Sequence, residues 1–221
     1  MTHKTMRRGI LGAVLALAFA LPTGAFAAPI IIFGTGLDAA GNPLPLGAAD
    51  PHYAVVIAGL PPAEVRTGIA LTYFPNNALS QWVWQYENGS PTAVTLTFRT
   101  TFDLTGFDPT TAVINGAWGT DNWGAAIRLN GNVTGTTLLS GYPGAPPISN
   151  FQALHSFTIN NPAWFLPGVN TLEFDIIGGG GSQEAFRAQL SGTAAVVPEP
   201  GTLTLLGLGL AGLRAWRKRR Q

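Results

Sequence analysis

The chain from residue 28 to residue 195 predicts an all-β fold, a sandwich or a barrel. Short runs rich in Val, Ile, Thr, Phe and Trp are separated by Gly, Pro, Asn and Asp, the spacing of many short strands joined by tight turns. Two of these runs alternate apolar and polar residues, as half-buried strands do. No long helical period occurs in the core, and no repeat of 20–50 residues that would indicate a solenoid or propeller.

The candidate strands, in chain order, are Pro29–Phe33, Tyr53–Ala58, Gly68–Phe74, Gln81–Tyr86, Ala93–Phe102 and Thr111–Ala117. They continue with Ala125–Leu129, Thr136–Ser140, Leu154–Ile159, Thr171–Ile177 and Ala185–Ser191. Alternation is clearest from Val94 to Phe102. Val94, Leu96, Phe98, Thr100 and Phe102 share one face, while Thr95, Thr97 and Arg99 face solvent. Leu172, Phe174 and Ile176 form the inward face of a second strand, and Leu129 is a further core candidate. Asn130-Gly131 is a turn signal because both residues accept positive φ. Pro167-Gly168 turns the chain before the second alternating strand, and Gly178–Gly181 reads as an exposed loop.

The two ends differ from the core. Lys4, Arg7 and Arg8 precede an apolar run from Ile10 to Leu21, broken by Pro22. Ala25 and Ala27 then supply small residues where a signal peptidase reads them. This is the layout of a secretory signal peptide, residues 1–27, with cleavage expected before Ala28. At the other end, residues 196–221 contain Pro198-Glu199-Pro200, an apolar span from Gly201 to Leu213, and a basic cluster from Arg214 to Arg220. Both apolar ends predict helices. Thirteen helical residues cover about 20 Å, less than the roughly 30 Å hydrocarbon core, although Arg214 can snorkel and Trp216 can sit at the interface. The expectation is a C-terminal membrane span with its basic cluster on the cytoplasmic side.

These C-terminal residues resemble the PEP-CTERM sorting signal of Gram-negative bacteria: a Pro-Glu-Pro triplet, a short Gly/Leu-rich span and a terminal Arg cluster. The resemblance implies processing near Pro198, Glu199 and Pro200 by exosortase, a membrane-embedded cysteine protease. It also places the mature protein in the cell envelope, at the cell surface or in the extracellular matrix.

Residues 28–197 carry four arginines against ten acids and no lysine, a net charge of −6. This disfavours nucleic acid and anionic lipid as partners of the core. The absence of cysteine removes disulfides and thiol chemistry. About 170 residues suffice to bury a core without such staples.

The order of several short segments resembles the galactose-binding-like jelly roll. These are Phe102–Pro109, Trp118-Gly119-Thr120-Asp121-Asn122, Arg128-Leu129-Asn130-Gly131 and Pro167–Phe174, with Thr35–Asp38 and Asp50–Tyr53 upstream. That family implies an antiparallel jelly-roll sandwich in an extracellular setting. It does not imply one ligand, because common folds host many functions.

Few residues suggest catalysis. Gly207-Leu208-Gly209-Leu210-Ala211-Gly212 matches a dinucleotide-binding spacing but lies in the C-terminal span, outside any strand–helix unit. His52 and His155 have no second ligand three or four residues away. There is no Gly-x-Ser-x-Gly elbow. Asp108, Asp121 and Glu173 are acids that a glycosidase would need to pair across a groove, and the sequence pairs none of them. No catalytic residue, resident metal or cofactor is expected.

The candidate ligand-binding group is Trp118, Asp121, Asn122 and Trp123. An exposed aromatic face can stack on a sugar ring while Asp and Asn bind its hydroxyls. The two oxygen-bearing side chains could also hold Ca²⁺, although no calcium-loop signature is present and an Asx turn joining two strands is the commoner role. Trp82, Trp84 and Trp164 face the same choice between core and platform, and core is the commoner role. The functional expectation is therefore a non-enzymatic exported surface or matrix protein associated with exopolysaccharide. The alternatives are an extracellular carbohydrate-binding module and a secreted hydrolase.

Overall fold

The computed structural model describes residues 26–56, 62–89, 92–180, 183–197 and 202–219. The predicted N-terminal signal helix lies outside them. Residues 25–197 form one compact unit. The C-terminal helix is a separate element.

The core unit is mostly β, and all its named strand pairs are antiparallel. Its strands are β1 (Ala27–Ile30), β2 (Ala49–Val55), β3 (Pro62–Val65), β4 (Val83–Trp84), β5 (Val94–Asp103) and β6 (Phe107–Asp121). After them come β7 (Trp123–Leu129), β8 (Asn132–Val133), β9 (His155–Ile159), β10 (Val169–Gly178) and β11 (Ala185–Val196). They make one continuous sheet in the order β8-β7-β10-β5-β2-β3-β4-β11-β6-β9, with β1 added to β11.

The sheet curls so that its two halves face each other in a sandwich-like arrangement. Phe174 of β10 lies 6.0 Å from Trp118 of β6 and 4.9 Å from Phe186 of β11, while Phe98 of β5 lies 4.9 Å from Phe186. These rings interlock the halves, and β3 and β4 bridge them. Leu96, Phe98, Phe102, Leu129, Leu172, Phe174 and Ile176 are all buried, as the alternation requires. On the opposite face of β5 and β10, Arg99 donates to Glu173 at 2.7 and 2.8 Å, and Arg128 pairs with Asp175. Asn130 and Gly131 have φ of 49° and 81°, which confirms the turn. Asn130 Nδ2 also donates to Asn170 Oδ1 at 2.7 Å, tying the turn to β10.

Several predicted elements are corrected. Gly68–Phe74 is a loop. Its backbone bonds are local or go to other groups: Tyr73 N–H donates to Ala70 O, Phe74 N–H to Phe151 O, and Phe74 O accepts from Trp82 Nε1. Thr136–Ser140 contributes only a single bridge, from Leu138 to Gly124. β3 and β8 were not anticipated, nor was the short helix α1 (Ser149–Gln152). Gly178 is a buried strand residue rather than part of a loop.

The C-terminal segment forms α2 (Thr202–Lys218), with Arg217 and Lys218 in its last turn, where they complement the helix dipole. Its 17 residues include the whole Gly207–Gly212 glycine run, so that run lies inside a helix. Among the described residues no helix is long and apolar enough to cross a membrane. The reason is in the sequence: Arg214 ends the apolar stretch after thirteen residues.

Candidate functional site

The four residues singled out as a ligand group lie at the β6–β7 junction: Trp118 and Asp121 in β6, Asn122 between the strands and Trp123 at the start of β7. Their side chains do not share one surface. Trp118 is fully buried, and its ring covers Gly124, where a Cβ would come within 2.2 Å of it. Trp123 is 7% exposed and meets Tyr142 edge-on at 5.2 Å. A buried ring has no face to offer a sugar, so the stacking platform expected at Trp118 and Trp123 is absent. Trp118 points into the main core, whereas Trp123, next in the strand to Gly124 whose Cβ direction meets the Trp118 ring, lies on the other face of β7 and is covered by Tyr142. Trp82 and Trp84 are also fully buried, but in different clusters: Trp82 packs with Tyr73 and Ala185, Trp84 with the main core. Trp82 precedes the two-residue strand β4, which contains Trp84.

Asp121 and Asn122 act as internal connectors. Tyr73 donates its hydroxyl to Asp121 Oδ2, and Asn122 Nδ2 donates to Asp121 Oδ1 at 2.8 Å. Asn122 Oδ1 accepts from Gly179 N–H, and its carbonyl accepts from Asn150 Nδ2 at 2.9 Å. The oxygens considered as cation ligands are thus met by hydrogen-bond donors. Among the described residues there is no group of three or more His, Cys, Asp or Glu side chains that could hold a metal. His52 stacks on Phe33 at 3.8 Å, while His155 Nε2 lies 2.9 Å from Ser149 O.

Sequence reading missed the wider polar cluster around this turn. Asp121, Glu184 and Arg66 are buried, and Tyr73 is 5% exposed. The β6–β11 register places Asp121 opposite Ala185, which brings Glu184 to the same end of the sheet. Burial, followed by the charge of Glu184, raises the Asp121 carboxyl above its ordinary range, while the hydrogen bond from Tyr73 opposes the rise. Burial and the bond to Asp121 push the Tyr73 phenol upward. Burial lowers the Arg66 guanidinium, against the charges of Tyr73, Glu184, Glu87 and Asp121. Nothing in the local sequence relates Tyr73 to Asp121, because the pairing depends on a loop folding across strand ends. Of the other acids considered, Asp108 at the exposed start of β6 accepts from the N–H and Oγ1 of Thr110, and Glu173 is held by Arg99. Asp108 and Asp121 lie at opposite ends of β6.

The raised Asp121 pKa has a pH signature. An acid whose folded pKa exceeds its unfolded value binds its proton more tightly when folded, so the wild type gains stability as pH falls through the folded pKa. Asp121→Asn removes that gain. Urea unfolding at pH 7 and pH 4.5 should show the wild type improving relative to the variant at the lower pH. A pH-independent difference would refute the assignment.

A separate open groove of about 540 Å³ lies over β6 and β11. Asn115, Gln189 and Ser191 supply polar groups, Phe33 and Leu190 apolar walls, and no charged side chain lines it.

The residues expected to be processed flank the core unit in sequence. Ala27 and Ala28 belong to β1 and pair with Ala195 and Ala194 of β11. Ala25, Pro198, Glu199 and Pro200 lie outside the described residues. Strand β11 ends at Val196, two residues before the triplet.

Residues 196–220 match the PEP-CTERM protein-sorting motif. The PEP-CTERM motif marks an exported protein sorted by exosortase to the envelope or surface of a bacterium. The motif begins at the last residue of β11, so the sorting segment follows the folded core without a long linker. No curated protein and no solved structure matches the chain.

Proposed function

We propose that the mature protein is a non-enzymatic component of the cell surface or extracellular matrix of a Gram-negative bacterium. It is released from its precursor by signal peptidase before Ala28 and by exosortase near Pro198-Glu199-Pro200. The observation that carries this reading is the sorting motif at residues 196–220, joined directly to a β-rich core. The buried, hydrogen-bonded state of Asp121 and the ion pairing of Glu173 support a structural use of these acids. Within this reading the core is a galactose-binding-like jelly roll that associates with exopolysaccharide. The uncharged groove with Asn115, Gln189 and Ser191 supports a neutral polysaccharide as the contact, since hydroxyl-rich, uncharged chains suit amide and hydroxyl partners beside apolar walls.

Mass spectrometry of extracellular protein from a host with exosortase tests the processing. It should find a chain starting at Ala28 and lacking the Arg214–Arg220 cluster. Extracellular protein that retains this cluster would sink the sorting scheme. Glycan hydrolysis by the same purified protein, abolished by substitution of one acid, would sink the non-enzymatic one.

A further inference from the structure

The expected signal-cleavage bond, between Ala27 and Ala28, lies inside a strand of the folded precursor. Ala27 pairs with Ala195, Ala28 with Ala194, Pro29 with Thr193 and Ile30 with Gly192. The ladder extends one residue upstream, where Val196 N–H donates to Phe26 O at 3.1 Å. Ile30 anchors it. Its side chain is 5% exposed and belongs to the main core, and its Cδ1 would lie 3.2 Å from a Cβ placed on Gly192. The partner strand β11 is itself held on its other side by β6, with Ala195 opposite Asp108 and Val196 opposite Phe107.

We propose that completion of the fold masks the signal-cleavage bond, so that the precursor is a substrate for signal peptidase only before β1 seats on β11. This regulates the processing site and rests on the export reading above. β1 pairs with β11 along one edge only, but a peptidase cleft that encloses an extended substrate needs both edges of the backbone, and β11 occupies one of them. Residues 26–28 cannot serve both partners at once. Cleavage of the folded chain therefore requires β1 to open locally, and its rate follows the population of that open state. The masking strand is the last strand of the core in the sequence. During vectorial export the bond is thus exposed until the C-terminal end of the core has emerged, and it closes when β11 completes the sheet. In the same step the C-terminal end of β11, next to the sorting motif, gains its second neighbour.

The test uses the full-length precursor and a purified bacterial signal peptidase in detergent. One sample is refolded before the enzyme is added, and the other is diluted from urea directly into it. Cleavage is read by mass spectrometry as the product beginning at Ala28. The refolded precursor should be cut at least about tenfold more slowly. Ile30→Asp, which loosens β1 without altering residues 25–28, should restore rapid cleavage of refolded material. Ile30→Ala should give an intermediate rate. Near-UV circular dichroism of each variant establishes that the rest of the core is folded. Equal rates for refolded and urea-diluted wild type would overturn masking and leave the export reading intact. Failure of urea-diluted precursor to be cut at Ala28 would overturn the cleavage assignment, and masking with it.

Discussion

Phe174→Ala is expected to destabilise the core by about 3–5 kcal/mol, the range for truncating a buried aromatic side chain. Phe174 has no exposed surface and lies on β10. Its ring meets Trp118 of β6 at 6.0 Å, Phe157 of β9 at 6.0 Å and Phe186 of β11 at 4.9 Å. All three neighbours come from the opposite half of the sheet, so removing the ring leaves a void between the halves that neither can fill alone. Equilibrium urea unfolding measures the loss. Thr95→Ala, on the exposed face of β5, should change stability by less than about 0.5 kcal/mol. A Phe174→Ala cost that small would mean that the two halves are not joined through this ring.

Replacing Pro198-Glu199-Pro200 with three alanines should abolish C-terminal processing. The expected result is loss of the mature extracellular form and recovery of the chain with its Arg cluster in the cell fraction, read by fractionation and mass spectrometry. The triplet falls within the sorting motif, and β11 has already ended at Val196. Alanines restore the backbone N–H groups that proline lacks but should leave the core's stability unchanged. Normal release of the triple-alanine variant would show that exosortase does not act through this triplet. Because β11 ends at Val196, before the triplet, a folding defect is not the expected cause of retention.

The sequence reached different depths in different parts of the chain. It determined the β class, the inward faces of β5 and β10 and the Asn130-Gly131 turn, because these depend on side-chain period and local φ. It also determined the sorting motif, whose parts are contiguous. It failed at Gly68–Phe74, which has strand-like composition but spends its backbone bonds on turns and on Trp82 and Phe151. Composition cannot say which partner a backbone group will find.

Tertiary structure alone decided how the tryptophans are buried, since Trp118 is enclosed by the closure of the two sheet halves and Trp123 is covered by Tyr142, rather than by their neighbours in sequence. It also decided that Asp121 meets Tyr73, 48 residues away, and that Ala27 meets Ala195. These contacts join residues far apart along the chain, and their energy is realised only after the intervening loops have closed. A local pattern records the propensity of each strand. The identity of the strand beside it is fixed by how the whole sheet buries its apolar faces.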